Sequence, residues 1–434
     1  MLPDRRIVRT LGLFCAGACL FLGARWAFQY RTPGRLRELP PNGNELIAIR
    51  DGWAYFQMKE VFLPRMVTFR DARGRVFLRM RPALEPFLFH VMPVTGGEGR
   101  RIGEHRLTGR MFQRVHFSER EVVYFAYREQ DVRSLGWQAT IPGAGNTTEV
   151  GIGFAPVTLY SMRVSRGAPT EWCAGKKFPV VISTLDAQPL CIAGEKIYWI
   201  EIDPSSRATH ACATLKVRHR NATTEKRLMT GLSPLSSLCV DAGDHRVVWL
   251  IAPPPGEYTP GRRFYRIDSA RDQPALFLSN LDTRSHICRP VTVRDRVYWK
   301  RDLYAIAEAQ YQDHLAEIWS ANHNGEDRRI EFAFETSSVP SQLLVHRSRL
   351  YFDVYEGRIH NRKRSGTLLM RLETDTPQRA REIFRFPPKT TQFLMDGDFL
   401  YYTRDEERGP AQAGTAQGNL GAFRRVLYRH PLPP

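Results

Sequence analysis

The chain has 434 residues, of which 42% are hydrophobic and 11% aromatic, enough apolar material for a large core and too much for wholesale disorder. Its 63 lysines and arginines against 45 aspartates and glutamates leave a formal charge of +18. Only nine of the basic residues are lysine and the arginines run through the whole chain, so a general compositional bias competes with a dedicated anion-binding surface, and no specific nucleic-acid motif occurs.

Residues 1–30 have the pattern of a membrane segment. Arg5, Arg6 and Arg9 precede an uncharged run from Leu11 to Ala24, and the apolar stretch over residues 7–28 approaches the roughly 20 residues that cross a bilayer. Arg25 is expected to snorkel, with Trp26 and Tyr30 at the interface. This predicts one transmembrane helix that tethers an exported, periplasmic or extracellular, C-terminal part. Cleavage after Ala16-Gly17-Ala18, giving a secreted protein, is the alternative. Residues 31–44, with Pro33-Gly34 and Pro40-Pro41-Asn42-Gly43, read as a short stiff linker.

Beyond the linker one figure returns: a polar turn, a β-branched residue or leucine, then aromatics. It occurs as Asp51-Gly52-Trp53-Ala54-Tyr55-Phe56, Glu121-Val122-Val123-Tyr124-Phe125 and Gly194-Glu195-Lys196-Ile197-Tyr198-Trp199. It occurs again around Val248-Trp249, Tyr298-Trp299, Tyr351-Phe352 and Tyr401-Tyr402, so that from Trp199 onward the anchors recur about every 50 residues. Apolar segments precede and follow each anchor, giving three or four short strands per period and no long helical pattern. The expected fold class is all-β: a propeller over residues 45–434, with seven blades of three to four antiparallel strands. The final segment stops soon after its strand, so residues 45–50 are expected to complete the last blade and close the ring. The two longer gaps, before Phe125 and before Trp199, leave room for a degenerate eighth blade. Insertions are the simpler account: residues 126–158 read as an elaborated loop and residues 302–316 as a short helix.

Chemistry is sparse in the linear sequence. No CxxC, HExxH, P-loop, dinucleotide-binding glycine pattern or GxSxG occurs, so no metal site, cofactor or catalytic residue is assigned. Cys191, Cys239 and Cys288 precede successive anchors at similar distances and are expected to fill similar buried places; Cys173–Cys191 and Cys212–Cys239 are the pairings an oxidising compartment would allow. Histidines such as His219 and His245 fall at turns or strand ends, and the acidic residues Asp51, Glu195, Asp244 and Asp396 are accounted for by hairpin geometry. The long 126–158 segment offers Arg128, Arg133 and Trp137 as cationic and aromatic contacts for a ligand, although the same residues would also brace a long loop.

Ile197-Tyr198-Trp199 and Val297-Tyr298-Trp299 resemble the core of the YWTD-type propeller repeats and of the related TolB-like repeats. Ile200-Glu201 and Lys300-Arg301 stand where the threonine-aspartate pair of that motif would be. The resemblance implies a propeller and leaves activity open, because propellers host both binding modules and enzymes. The leading expectation is a membrane-tethered binding or scaffold module whose partner is a protein or an anionic polymer. A hydrolase or lyase with its site on the propeller axis, and a binder of anionic polymer or lipid head groups, are the alternatives.

Overall fold

The computed structural model describes residues 34–433 apart from 39–44, 71–75, 96–99, 106–109, 118–120, 129–130, 132, 135–151, 165–169, 174–176, 184–187, 203–212, 235, 253–260, 283–288, 304–314, 335–337, 357–365, 374–378 and 408–422. The expected membrane segment and Trp137 therefore lie outside the described residues, as does most of the helix expected at 302–316, whose ends belong to strands. Among the described residues no helix is long and apolar enough to cross a membrane.

The chain enters through β1 (Gly34–Glu38). Blade 1 follows with β2 (Glu45–Arg50), β3 (Trp53–Arg70), β4 (Val76–Pro93) and β5 (Arg100–His105). Blade 2 uses β6 (Arg110–Phe117), β7 (Glu121–Arg128), β8 (Arg133–Ser134), β9 (Ile152–Arg163), β10 (Thr170–Glu171) and β11 (Lys177–Ser183). Blade 3 is β12 (Leu190–Ala193), β13 (Lys196–Ile202), β14 (Ala213–His219) and β15 (Lys226–Leu232). Blade 4 is β16 (Ser237–Val240), β17 (Val247–Ala252), β18 (Gly261–Asp268) and β19 (Gln273–Asp282). Blade 5 is β20 (Val291–Val293), β21 (Arg296–Leu303), β22 (Leu315–Asn322) and β23 (Arg329–Ala333). Blade 6 is β24 (Ser338–His346), β25 (Arg349–Glu356), β26 (Gly366–Leu372) and β27 (Ala380–Phe386), and blade 7 is β28 (Thr390–Asp396), β29 (Phe399–Glu407) and β30 (Phe423–Pro431).

Each blade is an antiparallel sheet whose strands follow chain order outward, and the seven sheets leave no eighth blade among the described residues. The fourth strand of blade 7 is β1, paired with β30 from Gly34 opposite Arg429 to Glu38 opposite Val426. The closing strand is thus 34–38 and not 45–50, which instead forms the innermost strand of blade 1. Pairing the first strand with the last covers a sheet edge that blade 7 would otherwise leave bare.

The long early gaps have two different causes. In blade 1, β3 and β4 run 18 residues each, well past the strands that flank them. In blade 2 the 126–158 segment is not a plain loop. Residues 152–158 belong to β9, whose first half pairs with β11 and whose second half pairs with β7, so one long strand serves two partners.

Why blades pack is visible in strand alternation: successive side chains face opposite sides, and both sides of a blade meet a neighbour. Seven buried clusters fill the seven seams. Tyr55, Phe89 and Val122 join blades 1 and 2, Phe125 and Trp199 join 2 and 3, and Tyr198 and Leu250 join 3 and 4. Trp249 and Trp299 join 4 and 5, Tyr298 and Phe352 join 5 and 6, Tyr351 and Leu400 join 6 and 7, and Tyr401 and Phe56 close the ring between 7 and 1. In blades 1, 3, 5, 6 and 7 the first aromatic of the pair faces the next blade and the second faces the previous one. Blades 2 and 4 are out of phase. Trp249 faces forward, so its counterpart is Tyr198 and not Trp199 as the 50-residue spacing implies. The reason is the turn: Val240 pairs with Val248 across a longer loop, whereas Ala193 pairs with Lys196 across two residues. Cys191 opposite Tyr198 and Cys239 opposite Trp249 are then true counterparts, and Cys173, Cys191 and Cys239 are all buried free thiols.

Candidate functional site

An antiparallel blade puts its first and third connections on one face of the ring and its second, together with the crossing to the next blade, on the other. The first face is drawn tight. Two-residue turns at Asp51-Gly52, Gly194-Glu195, Arg294-Asp295, Arg347-Ser348 and Gly397-Asp398 join the inner strands, with left-handed backbone at Asp51 (φ 49), Gly194 (φ 58), Arg294 (φ 56), Arg347 (φ 50) and Gly397 (φ 56). The third strand returns against these turns: Val94 donates to Gly52 O, Arg220 to Glu195 O, Ser269 to Arg246 O and Leu432 to Asp398 O. On the opposite face the second strands of the seven blades end, at Arg70, Arg128, Ile202, Ala252, Leu303, Glu356 and Glu407. We call these the tight face and the long-connection face.

On the tight face, charged groups from different blades gather at the axial mouth. His116, at the end of β6, is driven below the usual imidazole value mainly by burial; Glu121 opposes this, while His245 of blade 4 and Arg50 of blade 1 push the same way. Asp396, at the end of β28, is raised above the usual carboxylate value, again mainly by burial and then by Asp51 of blade 1, against His346, Arg50 and Arg347. Arg50 thus acts on both groups, and its guanidinium carbon lies 5.3 Å from the centre of the Phe117 ring. His346 bonds Gly397 O through a ring nitrogen at 2.9 Å, and Arg347 Nη1 meets Asp398 Oδ1 at 2.5 Å in an exposed pair. Blades 1, 2, 4, 6 and 7 all contribute. The mouth mixes imidazole, carboxylate and guanidinium groups, which suits ionic contact or proton exchange. Among the described residues no three His, Cys, Asp or Glu side chains are grouped to hold a metal ion.

The imidazole at His116 carries a stability consequence with a definite sign. A base whose folded-state pKa lies below its unfolded one binds fewer protons when folded, so its contribution is full above pH ~6.5 and fades as pH falls below that value. His116→Gln is expected to lose less stability than the wild type between about pH 7.5 and about pH 5, measured as denaturation midpoints at the two values. An equal loss in both proteins would contradict the burial argument.

Deeper in the ring, buried polar groups fasten blades together. Asp241, fully buried, accepts from Gly243 N (2.8 Å), Asp244 N (3.1 Å), Trp249 Nε1 (2.8 Å), Thr292 N (2.9 Å) and Thr292 Oγ1 (2.6 Å), tying blade 4 to blade 5. Between blades 3 and 4, Asp272 accepts from Tyr198 Oη and Lys196 Nζ, both at 2.6 Å. In blade 5, buried Glu331 accepts from Ser320 Oγ (2.5 Å) and Arg329 Nε (2.6 Å), and burial together with Glu331 raises the Tyr298 phenol to about 12. These networks account for their residues as structural fasteners.

Of the residues singled out from sequence, Arg128 ends β7, exposed, opposite Arg110 and on the long-connection side. Arg133 lies in β8 opposite Phe154 near the same end of blade 2. The axial mouth was missed because its members lie far apart along the chain, 66 residues from Arg50 to His116 and 129 from His116 to His245, and no local motif marks them. The one available signal was position: each sits at or beside an inner turn.

No protein-family model matches the chain, and no curated protein matches it in sequence. Solved structures resemble it in shape. The β-propeller domain of the Trilobed protease from Pyrococcus furiosus is 12% identical with a TM-score of 0.40, covering 69% of this chain and 80% of that one. An oligogalacturonate lyase from Vibrio parahaemolyticus is 10% identical with a TM-score of 0.37, covering 69% and 79%. A protein described as a TolB from Agrobacterium tumefaciens is 9% identical with a TM-score of 0.27, covering 62% and 80%. These likenesses concern shape alone, and the propeller assignment stands on the seven sheets.

Proposed function

We propose that this propeller is a non-catalytic binding module, tethered to a membrane through residues 7–28 and exported, which engages its partner through the long-connection face. The observation that carries the reading is the asymmetry of the ring: every blade spends two to six residues on its inner tight turn, while five or more separate its second strand from its third at the other face. Segments that need not complete a sheet are where binding residues concentrate. The point of entry supports the same orientation. Gly34 pairs with Arg429, close to the end of β30 at the tight face, so a tether ending near residue 30 reaches the ring there and leaves the opposite face toward solvent and partner.

The test uses the full chain in membranes, with a photo-crosslinking residue placed at Arg128 or Glu407 on the long-connection face, or at Glu195 or Ser348 on the tight face. Defined adducts are expected from the first pair and not from the second. Adducts confined to the tight face would favour the axial mouth instead and overturn this reading.

A further inference from the structure

The ribbon that blade 1 extends on the long-connection face is the most unusual feature of the ring. β2 pairs with β3 only as far as Gln57, and β5 pairs with β4 only from Phe87 onward, yet β3 and β4 stay paired with each other out to Arg70 and Val76. Residues 60–70 and 76–86 therefore form a two-stranded ribbon, about 35 Å long at strand rise, with no third strand on either side among the described residues. Pro64, Pro82 and Pro86 sit in its lower half, whereas residues 65–70 and 76–81 contain no proline and keep every backbone N–H.

Register sorts the distal residues into two sets. Arg65 opposite Arg81, Val67 opposite Arg79 and Phe69 opposite Phe77 share one face; Met66 opposite Met80, Thr68 opposite Leu78 and Arg70 opposite Val76 share the other. Residues 61–84 carry six arginines and one acidic residue, Asp71. A free ribbon of this kind is marginal in water and is completed by a further strand.

We infer that the distal β3–β4 ribbon, where open strand edges and alternating arginine and apolar positions coincide, takes up an extended acidic segment of another protein as an added strand. This rests on the binding reading above and names the partner chemistry for one part of that face. A second copy of the chain fits poorly, since it would set arginine against arginine across the new pair. A lipid surface answers the charge but offers the edge N–H and C=O groups no ordered ladder of partners. An acidic strand answers both.

The probe is a synthetic peptide of alternating glutamate and valine, titrated onto the full chain in detergent micelles, with poly-glutamate and anionic phospholipid vesicles as comparisons. Binding of the alternating peptide is expected to weaken at least tenfold in the triple variant Arg65→Gln, Arg79→Gln, Arg81→Gln, and to fall with added salt. A second variant, Arg70→Pro, removes a backbone N–H of the ribbon along with one charge, and is expected to weaken the peptide more than Arg70→Gln does. No binding of the peptide, equal binding of poly-glutamate, preference for vesicles, or insensitivity to all these substitutions would each overturn the inference. Crosslinking from Arg128 or Glu407 would survive those outcomes, so failure here is separable from failure of the binding reading.

Discussion

Asp241→Ala is expected to lower the unfolding free energy by about 3–5 kcal/mol, the range for breaking a buried charged network from one side. The carboxylate accepts five hydrogen bonds, three from its own blade and two from Thr292 of the next, and the donors on buried Trp249 and Thr292 cannot turn to water. Alanine strands the indole N–H of Trp249 and the backbone and hydroxyl of Thr292 inside the seam. Asp241→Asn separates charge from shape: one amide oxygen still accepts, but the amide nitrogen is turned toward donors. Its loss should lie between wild type and alanine. Urea denaturation followed by tryptophan fluorescence measures all three proteins, and a loss below about 1 kcal/mol for alanine would show that the donors find other partners.

Gly243→Ala is expected to be similarly severe, at about 3 kcal/mol or more, because the added methyl has nowhere to go. A Cβ at residue 243 would stand 1.6 Å from the carbonyl oxygen of Thr292 and 2.7 Å from its carbon. Both obstacles are backbone in the neighbouring blade, so relief requires the seam itself to open. The same opening would stretch the bonds from Thr292 to Asp241. The double variant with Asp241→Ala should therefore cost clearly less than the two single losses added together. Strict additivity in the same denaturation assay would mean that turn and carboxylate act separately.

Much of the fold was legible because a blade buries both of its faces. Strands such as Ile197 to Ile200 and Val247 to Ala252 must be apolar on successive residues, and that repeated run of apolar and aromatic residues is what a 50-residue period exposes. The same property hid the phase of blade 4. When Val247, Val248, Trp249 and Leu250 are all apolar, nothing in the run says which residue faces forward, and only the longer turn at Asp241 decides it. The closing strand was concealed for the opposite reason. Gly34-Arg35-Leu36-Arg37-Glu38 has one apolar residue and reads as linker, while Leu46-Ile47-Ala48-Ile49 reads as strand, so the better-looking segment drew the assignment. Outer strands need only one partner and carry little pattern.

The site was harder still. Arg50 and His245 act electrostatically on His116 because three inner turns converge on an axis, and convergence belongs to the ring and not to any segment of it. Arg128 and Arg133 were singled out from their segment because the insertion there is long, yet sequence could not show that the neighbouring β3–β4 ribbon would outrun its sheet. That follows only from where β2 and β5 stop pairing.

Hydrogen exchange along β30 tests the closed ring most directly. In the intact chain the amides of residues 426–429 are expected to be protected on both edges, by β29 and by β1. In a full-length variant carrying Arg35→Pro and Arg37→Pro, the amides of β30 that face β1 should exchange much faster while those bonded to β29 remain slow. Fast exchange at the β1 edge of the intact protein, or the same pattern in both proteins, would contradict closure by residues 34–38.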